Sequence, residues 1–516
     1  MPVPDRVAQS SAGPGARAAT FFRTVFSFPA MLALLLVGGI YVPLRDFWVD
    51  PDVWWHLKVG ATILSTRHWP TADPYSFTAH GAPWIAYEWL GDVLLAAVDG
   101  AWGLRGLLAL DIALAAAILL ALYALTTLRG GNAKAAFVIC AVLSPLVYPS
   151  CSLRPQMLGY LFLLLTLMVL ERFRQGHTGT LWILPPLFLV WVNTHGSFVL
   201  GLFAFGVYWA SGLVDIHWGA LASRLWTSGE RVRLTVVALA SLGALTITPY
   251  GAELCLYPLN MAFAQPINVG NIQEWQSMMF GEFFGKLFLA LVLGFVLAQI
   301  TLQPTWRLEE LVLFIAGVVA ACLHIRFLLI FVPFCAPMLT VIVARWIPPY
   351  EPANDKYALN AILIAFAVAG IVWFFPSRAR IEGIMEEKWP VKAVAYMKQH
   401  PAPRPMYNNY IYGGYLIWQL DGRNKVFIDG RADVYERSGV LADSLTISHL
   451  GPTAPFLLDA YGIQSCLIAR DEALGTLLAA SPQWQKVYSD SVSVLFVRRD
   501  KQPNNAVAQY VGTALE

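Results

Sequence analysis

DPDVWWHL, Asp50 to Leu57, follows closely on an apolar run covering 22 to 44 and sets two carboxylates, two tryptophans and a histidine within one short stretch. A helix needs about 20 mostly apolar residues to cross the hydrocarbon core of a bilayer. The polar cluster therefore falls where the chain first emerges from a membrane. The whole sequence supports that placement: 57% of its 516 residues are hydrophobic and only 13% charged, and the mean hydropathy is +0.56, far from a soluble globular protein. A net charge of +2 gives no footing for nucleic acid. The cysteines at 140, 151, 255, 322, 335 and 466 form no CxxC pair or metal spacing and read as small buried hydrophobes.

Outward from this stretch, the hydropathy predicts a polytopic α-helical membrane protein of about 11 spans. Their approximate limits are 22–44, 104–128, 134–150, 155–171, 180–194, 197–214, 232–249, 286–303, 308–323, 327–345 and 357–375. The first run is too long for a signal-peptide core and no small-residue cleavage site follows it, so it reads as a retained span. Lysine and arginine mark the cytoplasmic side: Arg6, Arg17 and Arg23 in the tail 1–21, then Arg129 with Lys134, Arg172 with Arg174, Arg224 with Arg231 and Arg233, Arg307, and Arg345 with Lys356. The connections between them are poor in positive charge; 250–285 has none. This alternation requires the stretch 85–103, with Glu88, Asp92 and Asp99, to lie at the interface instead of spanning. The N-terminus is then cytoplasmic, and the region from 376 onward is outside.

With that topology the ionisable residues gather on the outer face: Asp50, Asp52, His56, Asp73 and Glu88 in the first loop (46–103), Arg154, Asn193 with His195, Glu274, and His324 with Arg326. Ionisable groups at the edge of the hydrocarbon are costly and mark functional cavities by default. Taken singly, each has a plainer reading, since arginines snorkel and tryptophans belt the interface; it is their convergence from separate connections that favours a site. Carboxylates at i and i+2 can hold a divalent cation, magnesium or manganese, or divide into a general base and an orienting group. Pro51 restricts the backbone between them. Asp52 also suits the N-cap of the helix that follows. That helix, with Val53, Leu57, Gly60, Ala61 and Leu64 near helical spacing, is expected along the membrane surface. Arginines supply the complement, because a guanidinium fork matches phosphate oxygens.

An Asp-x-Asp pair in the first outer loop, surface helices behind it, later spans with an arginine at an outer end, and an outward C-terminal domain resemble the GT-C superfamily of integral membrane glycosyltransferases. The likeness is nearest to the dolichyl-phosphate-mannose-protein mannosyltransferase and RgtA/B/C/D-like families. DPDVWWHLKVG, DPYSFTAHGAPWIAYEWL, WVNTHGSF, YNNYIYGGYLIWQL and VFIDGRADVY resemble a set of membrane proteins within that group. The resemblance implies a bacterial inner-membrane, cell-envelope enzyme, an inverting hexosyl- or pentosyltransferase. It would move a sugar from a polyprenyl-phosphate donor to a glycan, lipid or protein acceptor. It implies Asp50 as general base or acceptor ligand, Asp52 as the second acidic position, often associated with metal, and Arg326 as a donor-phosphate ligand. Arg154 is the other arginine suited to the phosphate. His56, Glu88, His195 and Glu274 are cavity candidates without a transferable role.

After Ser377 charge and turn residues return. Strand-like RPMYNN, KVFIDG, SCLIAR and VSVLFVRR alternate with helix-like VKAVAYMKQH, YGGYLIWQL and EALGTLLAAS, which predicts a soluble, periplasmic α/β domain over 377–516. In FIDGRAD the charges Asp429, Arg431 and Asp433 suit a structural salt-bridged turn, with a second site as the alternative. The domain is expected to cover the cavity and select the acceptor. Two other classes stay open: a transporter, which inverted repeats and broken helices would betray, and a non-catalytic scaffold binding lipid-linked sugar, which would tolerate loss of Asp50 and Asp52.

Overall fold

The computed structural model describes residues 14–46, 50–271, 273–420 and 424–499. Residues 1–13 of the expected tail, Arg6 among them, and 500–516 of the expected outer domain lie outside the described residues. All eleven apolar runs are helical. Five lie in helices individually long and apolar enough to cross a bilayer: Trp89–Gly130, Ala133–Ser150, Gln156–Arg174, Phe283–Leu302 and Ile325–Val343. Tyr357–Trp373 reaches that length only with Arg378–Lys388, across a 58° bend. The other shorter helices have 11 to 17 residues, about 16 to 26 Å at 1.5 Å per residue. The chain is a multi-pass membrane protein; its span count by length is smaller than the number of runs.

The stretch expected at the interface is continuous with the span after it, in a 42-residue helix from Trp89 to Gly130. Its regularity fails at one residue, Gly103, whose φ of 59° and ψ of −156° are accessible essentially to glycine alone. The chain changes direction there, so the helix is two segments joined at Gly103.

Trp89–Gly130, Gln156–Arg174 and Leu308–Leu323 share an arrangement that orders the molecule. The first two begin, and the third ends, beside the ionisable residues Glu88, Arg154 and His324. Their opposite ends carry a buried charge cluster: Arg129 pairs with Glu310, Arg174 Nε lies 3.0 Å from Glu309, and Arg307 Nη1 lies 2.6 Å from Glu171. Three arginines neutralise three glutamates, and the helices are tied at that end.

The helix Val53–Thr66 departs from the surface position expected of it. Val53, Trp54, Trp55, His56, Leu57, Val59, Gly60 and Ile63 are buried, whereas Ala61 and Leu64 are exposed. Gly60 packs so closely on Trp89–Gly130 that a Cβ there would come 2.0 Å from the Asp92 carbonyl oxygen. On the other side Trp54 stacks on Trp418, centroids 4.7 Å apart, and meets Trp389 and Tyr415 edge-on. The helix is a wedge between the membrane helices and the C-terminal region.

That region holds a four-stranded sheet in the order Met406–Asn408, Ser465–Ala469, Ser493–Arg498, Trp484–Ser489. The first pair is parallel and the other two are antiparallel. Three of the four expected strands are present. KVFIDG is not one of them, because its polar backbone is satisfied elsewhere. Val426 exchanges backbone hydrogen bonds with Tyr75 and Phe77 of the first loop, and the Asn408 side chain accepts from Phe427 N at 2.8 Å and donates to Ile428 O at 2.8 Å. The fourth strand, WQKVYS, lies at the sheet edge with its polar side chains in solvent, which hides its pattern in sequence.

Candidate active site

Between the first loop, the ends of the membrane helices and the C-terminal region lies a cavity of about 400 Å³. Asp52, His56, Glu88, Arg154, His195, Glu274 and Arg326 all line it, and His324 does too. Asp50 does not. Its Oδ1 accepts from Asp52 N at 3.0 Å, and its Oδ2 accepts from Ser152 Oγ at 3.1 Å and faces Arg154 Nε at 3.2 Å. Asp50 thus stands behind Asp52 and braces it. Asp52 occupies the expected N-cap position but makes no capping hydrogen bond; its Oδ1 accepts from Trp55 Nε1 at 3.2 Å and its Oδ2 faces Arg154.

Arg154 is carried by the tight turn that opens Gln156–Arg174. Its three nitrogens reach Asp50, Asp52 at 3.5 Å and Glu274 at 3.2 Å. Glu274 in turn faces Arg326 Nη1 at 3.4 Å, and the Arg326 guanidinium lies 4.1 Å over the Trp275 ring, a cation–π contact. One carboxylate therefore sits between two guanidinium groups. Burial opposes the charge of Arg154, but Asp50, Glu274 and Asp52 hold its pKa well above the usual value. Glu274 is pulled below the usual carboxylate range by Arg154 and Arg326, against the burial that would raise it. Asp52 is pushed up to about 7, chiefly by burial and then by Asp50, with Arg154 opposing.

Deeper in the same wall His56 and His195 flank Glu88. His56 Nε2 lies 3.4 Å from Glu88 Oε2 and His195 Nε2 lies 3.2 Å from Glu88 Oε1, while His56 Nδ1 meets Asp92 Oδ1 at 2.5 Å. Burial leaves both imidazoles poor bases: His56 is well below the usual value and His195 is near 3.

The C-terminal region supplies Tyr410, Gly430, Ala432 and Asp433 to the cavity. A Cβ at Gly430 would lie 1.8 Å from Asp52 Oδ1, so a side chain there would displace the carboxylate. Of the FIDGRAD charges, Asp429 and Arg431 form the structural turn: Arg431 Nε and Nη2 donate to the two Asp429 oxygens at 2.8 and 2.7 Å. Arg431 also reaches back to Asp73 of the first loop at 2.7 Å, so Asp73 is buried away from the cavity. Asn193 likewise serves structure, accepting from Trp89 Nε1 at 2.8 Å. Residues that the sequence left without a role in this cavity are Tyr410, Asp92, the stacked pair Tyr87 and Tyr257, whose rings lie 4.0 Å apart, and Asp433, which it assigned to a turn or a second site. Only Asp92 and Asp433 carried a signal, as charges beside apolar segments. An apolar flank, Val199, Leu200, Met261 and Val269, completes the lining.

The carboxylates do not make a metal centre as placed. Asp50, Asp52 and Glu274 converge on Arg154 instead of on an open point, and among the described residues no group of three His, Cys, Asp or Glu side chains could share an ion.

The multi-pass helical bundle with its terminal α/β region is a fold shared with solved membrane proteins. Two solved structures show the likeness. ArnT from Cupriavidus metallidurans in the apo state aligns at a TM-score of 0.50 with 15% identity, over 93% of this chain and 98% of that one. The Archaeoglobus fulgidus oligosaccharyltransferase, tethered with an acceptor peptide containing the NVT sequon, aligns at 0.52 with 12% identity, over 86% and 70%. No protein-family model matches the sequence, and no curated protein does.

Proposed function

We propose that the chain is a glycosyltransferase that moves a sugar from a polyprenyl-phosphate donor to an acceptor hydroxyl in this cavity. One observation carries the reading: Arg154 and Arg326 share a carboxylate, Glu274, beside the cavity-facing Asp52. Glu274 lies between the two forks where an anion would bind, and the donor phosphate takes that place. The apolar flank receives the start of the polyprenyl chain. Asp52, braced by Asp50, removes the acceptor proton as the hydroxyl oxygen attacks the anomeric carbon and the bond to the phosphate oxygen breaks, with inversion. Arg154 and Arg326 stabilise the charge that develops on the departing phosphate. They do the work of a divalent cation, so no step passes through a metal. Asp52 lines the cavity and Asp50 does not, which supports Asp52 as the base in place of Asp50, the base expected from sequence.

The basic far ends of the membrane helices support an outer-face site in a bacterial inner membrane, because the positive side is cytoplasmic. Outside the cell nucleotide sugars are absent, which favours a lipid-linked donor.

The test is turnover of a panel of polyprenyl-phosphate sugars by protein in nanodiscs. Asp52→Asn should lose at least about 100-fold in kcat, Asp50→Asn less, and a chelator should change nothing. An Asp52→Asn variant with native turnover would remove the assignment, and dependence on added magnesium or manganese would restore the metal.

A further inference from the structure

His195, Glu88, His56 and Asp92 form a string that the transfer chemistry above does not use. His195 Nδ1 accepts the backbone N–H of Ser197 at 3.0 Å. A neutral imidazole carries one N–H, so its proton is on Nε2, which lies 3.2 Å from Glu88 Oε1. On the other side His56 has a carboxyl group at each nitrogen, Asp92 at Nδ1 and Glu88 at Nε2. His56 is buried and neutral, and two ionised carboxylates against one neutral ring would be two uncompensated charges. The Glu88, His56 and Asp92 trio therefore holds two protons. They have two arrangements. Either Glu88 is the acid and His56 donates from Nδ1 to ionised Asp92, or Asp92 is the acid and His56 donates from Nε2 to ionised Glu88. A shift of both protons through the ring interconverts them, and Glu88 is the member that opens on the cavity.

We infer that this trio is a proton store and that Glu88 is a further catalytic residue, an acid that protonates the phosphate as it leaves. His56 and Asp92 are positioning residues that keep it protonated. The inference rests on the reading of the site as a glycosyltransferase. The protons balance. The acceptor O–H proton passes to Asp52, the bond from the anomeric carbon to the phosphate oxygen breaks, and that oxygen takes the Glu88 proton. The proton on Asp52 then returns to Glu88 through cavity water. An acceptor alcohol and a phosphodiester monoanion become a glycoside and a monoprotonated phosphate monoester.

The groups facing Glu88 support its holding a proton. Burial raises its pKa to about 8, Asp52 and Asp433 adding to the rise and Arg154 and Arg326 opposing it. Neutral His56 and His195 add no charge of their own.

Two measurements separate this inference from the reading it rests on. The first needs no substrate: infrared titration of the protein in nanodiscs follows the carboxylic-acid C=O band. The part of the band that Glu88→Gln loses should persist at pH 7 in the native protein and disappear with a midpoint near 8. If Glu88 titrates below pH 6, there is no store. The second is the pH profile of donor turnover. Glu88→Gln should lower kcat about 100-fold, leave the KM for donor unchanged and remove the alkaline limb, with partial rescue by Glu88→Asp. Asp92→Asn should move that limb. Native turnover by Glu88→Gln with the limb intact overturns the inference and spares the glycosyltransferase. A band that titrates as expected in a protein that uses no donor overturns the reading and, with it, the acid role.

Discussion

In the proposed mechanism Asp52 and Glu88 set opposite limits on activity. A base must be ionised to accept a proton, so with Asp52 near 7 turnover falls as pH drops below 7. An acid must be protonated, so with Glu88 near 8 turnover falls above 8. The profile of kcat is then a narrow bell between them, measurable with any donor that is turned over. Gly430 governs the same base from the other side. Gly430→Ala places a methyl group on Asp52 Oδ1 and must move the carboxylate; a displacement of about 1 Å costs on the order of 100-fold in rate. A variant with kcat within a factor of two of native would show that Asp52 does not need this position. At this scale the sequence was informative about types and weak about roles. Seven of the eight site candidates line one cavity because each was an ionisable group beside an apolar run, a local signal. Asp50 is held away from the cavity by Ser152 and Arg154, which no local pattern links to the first loop.

The Trp89–Gly130 helix shows what an element adds. Its apolar second half was plain in the hydropathy, and its polar first half was expected to lie apart. The join rests on Gly103, a residue whose torsion angles leave no trace in composition. Gly103→Ala meets no neighbouring atom, so its cost is backbone strain, about 1 to 3 kcal/mol. Gly100→Ala, also in open space but within regular helix, should gain up to about 1 kcal/mol. Thermal unfolding in detergent should therefore move in opposite directions for two identical substitutions three residues apart. The same sign for both would mean that the break at Gly103 is not enforced by its torsion angles. Val53–Thr66 was read as a surface helix for a related reason. Its tryptophans resemble an interfacial belt, and the rings that bury Trp54 come from Trp389, Tyr415 and Trp418, far along the chain.

Across the whole molecule the first loop and the C-terminal region are one structure. Thr78 Oγ1 donates to Phe427 O across 349 residues of sequence. Arg431 is fully buried, joins Asp73 to Asp429 and lies over the Trp84 and Tyr75 rings at 4.7 and 5.0 Å. Arg431→Ala leaves two carboxylates buried without their partner, a loss of roughly 3 to 5 kcal/mol. The expected result is a lower thermal midpoint and a first loop open to proteolysis; an unchanged midpoint would show that other contacts suffice. The α/β character of the C-terminal region was legible from its alternating runs. Its integration was not, because KVFIDG reads as a strand and spends its backbone hydrogen bonds on Asn408 and the first loop instead.

The contact of Gly430 with Asp52 also fixes an order of events in time. Asp52 is made with the first loop, before most of the membrane helices, and Gly430 follows only after the last of them, Tyr357–Trp373, has been synthesised. Until then Asp52, Arg154 and Glu274 are present without their final wall. A chain halted before residue 377 would carry the membrane helices and no complete cavity, so the site is assembled only when synthesis is nearly done.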